Sequence, residues 1–399
     1  MLTRNGWLVA GMAAGLFAAG RILGVWELYL LGGAAAGLVL AASLYVGLVR
    51  LRLRVSRRVR PFRIHAGTPA RVDLEIRSVG RRTPVLRLRD AVSGTRGADL
   101  SVGPLRSDEQ NLAAYRVPTE RRGIVTVGPL LVEIADPFDL AMVRMQAAGE
   151  ATITVFPSVV PLRPVPFTIG HDPHGAANNP NSLGRLGEDF YALRHYTVGD
   201  DLRRVHWPST AHVGELMVRQ DELPWQGRAT IVLDTRIRGP MTDDDFEGAV
   251  STVASVLAAC VHRRDLVRVV TTDGGDSGFA TGHAHVDAIM EFLATVRRGE
   301  RGTLHGTLTA LHRSTDGGAL VVVGGALDTS DVEASLRLRV SYGSVYVVRI
   351  DLDDQSGTAG TVQSGPSANV LTVARLEGLA EGWNRMTSMR AVSALDRSR

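Results

Sequence analysis

The alternation of apolar and polar positions divides this 399-residue chain into four stretches. The first holds two apolar runs, "WLVAGMAAGLFAAG" (7–20), closed by Arg21, and the uninterrupted "LYLLGGAAAGLVLAASLYVGLV" (28–49). The second run is long enough to cross about 30 Å of hydrocarbon as a helix. The first reaches that length only by running on to Val25, with Arg21 snorkelling to the interface. From 61 to 157 the pattern shortens to strand-like runs such as "ARVDLEIRS", "PVLRLRDAV", "NLAAYRVP", "RGIVTVGPLLVEIADPF" and "ATITVFP". In the first of these Val72, Leu74 and Ile76 share one face and the charges the other, the period of a half-buried strand. Turn signals at about 8–12-residue spacing predict a small antiparallel β-sandwich.

Residues 158–226 are a Pro-rich connection, a polar loop and a dense charged and aromatic motif. From 227 to 399 buried strands ("ATIVLD", "LVRVVTTD", "ALVVVGG", "SVYVVRI") alternate with amphipathic helices. One of these helices places Phe246, Val250, Val253, Leu257 and Val261 on one face. That alternation predicts a parallel, Rossmann-like α/β sheet covered on both faces. The Gly/Ser/Gln-rich stretch 351–369 reads as a loop.

Charge gives the first stretch an orientation. "RLRLRVSRRVR" (50–60) has six Arg and no acid, so the positive-inside rule places that end, and with it the N-terminus and Arg4, in the cytoplasm. Residues 1–60 then form a transmembrane helical hairpin with a basic flank facing anionic headgroups, each Arg worth roughly 1 kcal/mol there. A cleaved signal peptide fits poorly, because "RILGVWE" between the runs has no convincing cleavage site.

Composition narrows the function classes. The net charge of +4 and pI near 9.6 rest entirely on Arg, since the chain has no Lys. Uniform Arg usage beside abundant Ala, Gly and Val matches a GC-rich coding bias. Aromatics are only 5%, too few to interleave with Arg as a nucleic-acid surface requires. The single cysteine, Cys260, forbids a disulfide within the chain and agrees with a reducing compartment.

Candidate chemistry is sparse. In an open α/β sheet function gathers at the carboxyl ends of the strands, which draws attention to Asp234. A von Willebrand factor A domain holds Mg²⁺ there with an Asp-x-Ser-x-Ser loop. This chain reads Asp234-Thr235-Arg236-Ile237-Arg238, and a guanidinium offers no lone pair to a metal. The acids of "TDDDFE" (242–247) are suited to a helix N-terminus. "GDSG" (275–278) follows a strand in an α/β pattern and reads as a turn. "HDPH" (171–174) and "GHAH" (282–285) lack the spaced second pair of a zinc site.

The motif at 187–222 resembles the signature of the domain of unknown function 58 family. The matching residues are Gly187, Phe190, Leu193, Arg194, Tyr196, Gly199, Asp200, Asp201, Arg203, Arg204, His206, Trp207, Ala211, Glu215, Leu216, Val218 and Arg219. "RRGIVTVGP" and "DPFDL" in the β region extend the resemblance over nearly the whole chain. It departs at Pro208, where a basic residue is usual, and at His212, where Arg is usual. The resemblance implies a membrane-anchored protein with a von Willebrand A-like domain, encoded beside a MoxR-type AAA ATPase and often near a transglutaminase-like membrane protein. Such proteins act with the ATPase in assembling or maturing others. The family implies neither an enzymatic activity nor a cofactor.

On its own chemistry the motif admits two readings. Gly199 and Asp200 supply turn chemistry, and Asp200, Asp201, Arg203, Arg204, Arg194 and Arg219 can pair as a charge network bracing the α/β domain. Alternatively Arg forks with Trp207 and Tyr196 make a docking surface. A His206–Asp200 or His212–Asp200 pair could act as base and orienter, but no Ser or Cys nucleophile has an activating setting. The chain is therefore expected to be a non-enzymatic membrane adaptor, the alternative being a metal-dependent binding module or hydrolase at the membrane face.

Overall fold

The computed structural model describes residues 1–48, 53–79, 82–166, 189–197, 205–222, 227–237, 241–261, 263, 265–314, 317–325, 327–352, 361–365, 368–374 and 376–396. The chain forms two compact units, Met1–Phe156 and Pro157–Arg399.

The first unit opens with α1 (Arg4–Leu23) and α2 (Trp26–Leu48), both long and apolar enough to cross a membrane. Thr3 caps α1 by accepting from the Gly6 amide at 3.0 Å, and Gly24, at φ 70°, lets the chain reverse. Small residues set the helix spacing: a Cβ on Gly32 would meet the Ala13 carbonyl and the Phe17 ring. Phe17 and Tyr29 stack across the interface with centroids 6.0 Å apart.

Among the described residues nine strands follow: β1 (Leu53–Arg60), β2 (Arg63–His65), β3 (Ala70–Ser78), β4 (Leu86–Val92), β5 (Ala98–Val102), β6 (Gln110–Val117), β7 (Gly123–Ala135), β8 (Met142–Ala148) and β9 (Ala151–Phe156). One sheet runs β1-β3-β6; the other runs β2-β9-β7-β4-β5, with β8 on β7. Their inner faces share one core, with Val72, Leu74 and Ile76 meeting Leu88, Leu130, Val132 and Ile153. The sandwich departs from the antiparallel expectation at one place, where β2 lies parallel to β9. β2 enters after a crossover between sheets instead of a hairpin, so no tight turn forces it to run antiparallel.

The basic run 50–60 is not a membrane-facing flank throughout, because Leu53–Arg60 is the first strand of the sandwich. Arg57 turns inward and donates to Asp90 at 3.0 Å, and Tyr115 donates to the other Asp90 oxygen at 2.6 Å. Arg57 also donates to the Gly149 carbonyl. Burial, then the bond to Asp90, raises the Tyr115 phenol well above its ordinary range. A charged residue in a basic run is thus a core residue, made tolerable by its partners.

The β7–β8 turn meets the helices. The buried Asp136 carboxylate accepts from the amides of Phe138, Leu140 and Ala141 at 2.9, 2.7 and 2.6 Å. Thr3 donates through its amide to the Leu140 carbonyl at 2.9 Å and through Oγ1 to the Asp139 carbonyl at 2.5 Å. Leu140 and Ala141 pack with Ala42 and Val46, against Val9 and Val39. Gly6 makes this approach possible, since a Cβ there would sit 2.0 Å from the Leu140 carbonyl oxygen.

The second unit begins with an extended strap. Ser158 donates to Ser251 at 3.0 Å, the Val160 amide to Ser255 at 2.9 Å, and the Arg163 amide to Asn384 at 3.0 Å. A hairpin of β10 (Asp189–His195) and β11 (Met217–Glu222) follows, enclosing the short α3 (Trp207–Val213).

The α/β fold comprises β12 (Arg228–Leu233), α4 (Asp243–Val261), β13 (Leu266–Thr271), α5 (His283–Thr295), α6 (Leu304–Ser314), β14 (Ala319–Gly324), α7 (Thr329–Arg337), β15 (Ser344–Ile350), β16 (Thr361–Gly365), β17 (Ala368–Val373) and α8 (Leu379–Asp396). The sheet order is β13-β12-β14-β15-β17-β16, parallel except for β16, which pairs antiparallel with β17. Alternate strand residues such as Val232, Val322 and Val347 pack on Leu304, Leu308 and Leu311 of α6. α4 and α8 pack on the sheet as well, with Tyr346 against Trp383 at 5.8 Å between centroids. β16 lies within 351–369, so that stretch is not a loop throughout; its residues 353–360 lie outside the described residues.

Candidate functional site

The strand order places the chain reversal between β12 and β14, and the carboxyl ends of those two strands define the crevice where an open α/β sheet holds a ligand. Asp234 stands at that point, 2% exposed, its amide bonded to the Val323 carbonyl at 2.9 Å. Gly324 lets it come close, since a Cβ on that glycine would lie 2.8 Å from the Asp234 Cβ.

The crevice is filled by the chain's own cation. Arg236 donates from Nε and Nη2 to the two Asp234 oxygens at 2.8 and 2.7 Å, and from Nη2 to Asp331 at 2.9 Å. Its side chain is 11% exposed. The bond to Asp234 raises the guanidinium's pKa against the opposing effect of burial, and Asp331 adds to the rise. Backbone pairing with Gly299 holds the loop: Gly299 donates to the Thr235 carbonyl at 2.9 Å and Ile237 to that of Gly299 at 3.1 Å. Thr272 accepts from the Thr235 amide at 2.9 Å below it.

A bidentate Arg–carboxylate pair bridged to a second carboxylate is a strong, directional ionic clasp. It ties the loop after β12 to the first turn of α7, across the two strands of the reversal. The Asp234 oxygens that a metal would use accept from Arg236; Arg238 lies outside the described residues. Among the described residues no group of three or more His, Cys, Asp or Glu converges. Asp331 escaped the sequence reading. Its signal is positional: it lies in the first turn of the helix after β14, three residues beyond the N-cap Asp328, which accepts from its amide at 2.8 Å.

The other candidates resolve into structural parts. Thr242 and Asp245 cap each other across the start of α4: Asp245 accepts from the Thr242 amide at 2.8 Å and Thr242 Oγ1 from that of Asp245 at 3.1 Å. The second Asp245 oxygen takes the Leu352 amide at 2.7 Å, tying the helix to the end of β15. Ser277 of "GDSG" accepts from the Val269 amide at 2.9 Å and donates to the Gly278 carbonyl at 3.1 Å, the work of a strand-edge turn. His285 lies 3.0 Å from the Val267 carbonyl, and "HDPH" lies outside the described residues. Cys260 is a core residue whose thiol burial pushes up to about 12.

Of the signature residues, Gly199, Asp200, Asp201, Arg203 and Arg204 lie outside the described residues. The backbone sets Arg194 opposite Val218 and Arg219 opposite Leu193, one register step apart. The Tyr196 amide donates to the Leu216 carbonyl at 2.8 Å, and Tyr196 itself is half-buried. Trp207 opens α3 and is 65% exposed. His206 faces Ser209 at 2.9 Å, and His195 faces Glu215 at 3.0 Å on the surface.

Residues 192–360, which carry most of this signature, the clasp and the sheet as far as β15, match the model of the family described as protein of unknown function DUF58. No curated protein matches. Among solved structures, the CARDB domain of PF1109 from Pyrococcus furiosus is 15% identical, over 26% of this chain and 86% of that one, with a TM-score of 0.20. The alkylpurine DNA glycosylase AlkC of Pseudomonas fluorescens is 14% identical over 32% and 38%, with a TM-score of 0.19. The β-glucosidase EmGH1 of Erythrobacter marinus is 15% identical over 26% and 15%, with a TM-score of 0.18. Likenesses at those scores carry no argument.

Proposed function

We propose that this chain is a membrane-anchored, non-enzymatic adaptor whose cytoplasmic α/β domain, von Willebrand A-like in type, is presented to a partner through the signature hairpin. The observation that carries the reading is Trp207, a large aromatic 65% exposed at the head of α3. Exposed tryptophans in built, hydrogen-bonded frames are the anchors of protein interfaces. The two apolar helices support the anchor, and the Arg at 50–60 together with Arg4 favours the cytoplasmic side. The partner proposed is the MoxR-type AAA ATPase, with the transglutaminase-like membrane protein as an associate, because the resemblance to the DUF58 family implies them. The metal-dependent alternative requires Arg236 to leave Asp234.

The test is co-purification of the full-length protein from native membranes in mild detergent with nucleotide trapped, wild type against Trp207→Ala. Circular dichroism checks that both are folded. Recovery of the ATPase with wild type and its loss in the folded variant supports the reading. Retention by the variant removes the hairpin as the docking surface. Absence of any ATPase with wild type overturns the adaptor, and calorimetric titration with Mg²⁺ then tests the alternative.

A further inference from the structure

We infer that the β7–β8 turn, with Phe138 at its tip, enters the headgroup–acyl boundary of the bilayer as a third membrane contact beside the two helices. This rests on the reading of α1 and α2 as a membrane anchor.

Depth is the first argument. α1 has 20 residues, about 30 Å at 1.5 Å per residue, which matches the hydrocarbon thickness with nothing to spare. Leu140 and Ala141 form one buried cluster with Ala42 and Val46, and Val9 and Val39 pack against that cluster. Val9 lies roughly 7 Å along the axis from Arg4, and Val39 roughly 13 Å back from Leu48. A turn clustered with Ala42, about 9 Å back from Leu48, reaches below the helix ends, to a level where the helices' outer surface is already apolar.

Composition is the second. The tip reads Pro137, Phe138, Asp139, Leu140, Ala141, Met142 and Val143. Phe138 is 64% exposed, and Val143 is partly exposed beside it. Beyond Asp136 and Asp139 in the turn itself, the first charges up the β7–β8 ladder are the pair Glu133 and Arg144, at 2.6 Å.

Hydrogen bonding is the third and most discriminating. A backbone turn tolerates an apolar medium only if its polar groups are satisfied from within. Asp136, itself buried, takes the three amides of Phe138, Leu140 and Ala141. The Asp139 amide donates to the Asp136 carbonyl at 3.0 Å, and the Met142 amide to that of Met1 at 2.9 Å. The Asp139 and Leu140 carbonyls take the Thr3 hydroxyl and amide. Most of the turn's amides are thus satisfied from within, while the Asp139 carboxylate at the tip keeps it at the level of the headgroups.

Spin labels placed by single substitutions report depth, through collision with oxygen against a water-soluble nickel chelate. The buried Cys260 remains in place. Phe138→Cys is compared with Leu38→Cys on the outer surface of α2 and with Ile124→Cys, exposed at the opposite end of β7. The full-length protein is placed in nanodiscs of phosphatidylcholine with a minor fraction of phosphatidylglycerol. The inference expects the Phe138 label to lose most of the nickel collisions seen at Ile124, at a depth between Ile124 and Leu38. If the Phe138 label matches Ile124 while Leu38 reports hydrocarbon, the inference is overturned and the anchor stands. If Leu38 also reports water, the anchor reading has failed and takes the inference with it.

Discussion

The indole Nε1 of Trp383, on α8, donates to the carbonyl of Arg163 in the strap at 2.8 Å. The residue is fully buried, with its ring against Tyr346 of β15. One side chain therefore joins the sheet, a covering helix and the segment entering the unit. Trp383→Phe keeps most of the packing and orphans the carbonyl, with an expected loss of about 1–2 kcal/mol. Trp383→Ala empties the site, with an expected loss of about 3–5 kcal/mol. Denaturant unfolding of the full-length protein in detergent measures both, and a Trp383→Phe variant as stable as wild type would count against the hydrogen bond.

Removing Arg236 leaves the carboxylates of Asp234 and Asp331 facing each other without a counter-charge. Arg236→Ala is expected to destabilise by about 3–5 kcal/mol, the usual penalty for breaking a buried ion pair on one side. Millimolar Mg²⁺ is expected to recover part of that loss in the variant and to leave wild type unchanged. Melting curves with and without Mg²⁺ read both effects, and an equal shift in wild type would contradict the clasp.

Asp276 accepts from Arg268 Nε and Nη2 at 2.9 and 2.6 Å, and these bonds hold its carboxyl below the usual carboxylate range. The folded pKa is lower than the unfolded one, so its contribution to stability is present above the unfolded value of about 4. It is lost as pH falls through the folded value. The stability difference between wild type and Asp276→Asn should therefore be constant near neutrality and shrink in acid. A difference that grew on acidification would reverse the assignment.

Gly6 is the contact point between α1 and the β7–β8 turn. Gly6→Val puts a side chain where the Leu140 carbonyl oxygen now lies, and overpacking of this kind costs about 1–3 kcal/mol. Earlier cleavage within 136–141 by a protease is the expected readout, with the α/β unit cut at its wild-type rate.

Where burial follows a simple pattern, the sequence was legible: "ARVDLEIRS" became β3 with its apolar face inward, and "ATIVLD" became β12, a buried interior strand of the sheet. Elements with weak periodicity escaped. β8, "MVRMQAA", shows little alternation because it lies on β7 outside the main strand order. α6, amphipathic and set off from α5 by Gly299 and Gly302, is a second helix between β13 and β14 that was legible but passed over. Arg57 was hidden because a basic run looks solvated, and only the distant Asp90 and Tyr115 make its burial tolerable. At the crevice, the poor fit of Arg236 to metal ligation was legible from its chemistry. The positive role of Arg236 was not, since Asp331 lies 95 residues away.

The strap has a mechanical consequence. The segment from Pro157 is stitched to α4 and α8 through Ser158, Val160 and Arg163. Tension arriving along the chain from the hairpin side passes into the two covering helices before it reaches any strand of the sheet. Under load applied at Pro157, the strap's bonds to those helices are the first to yield.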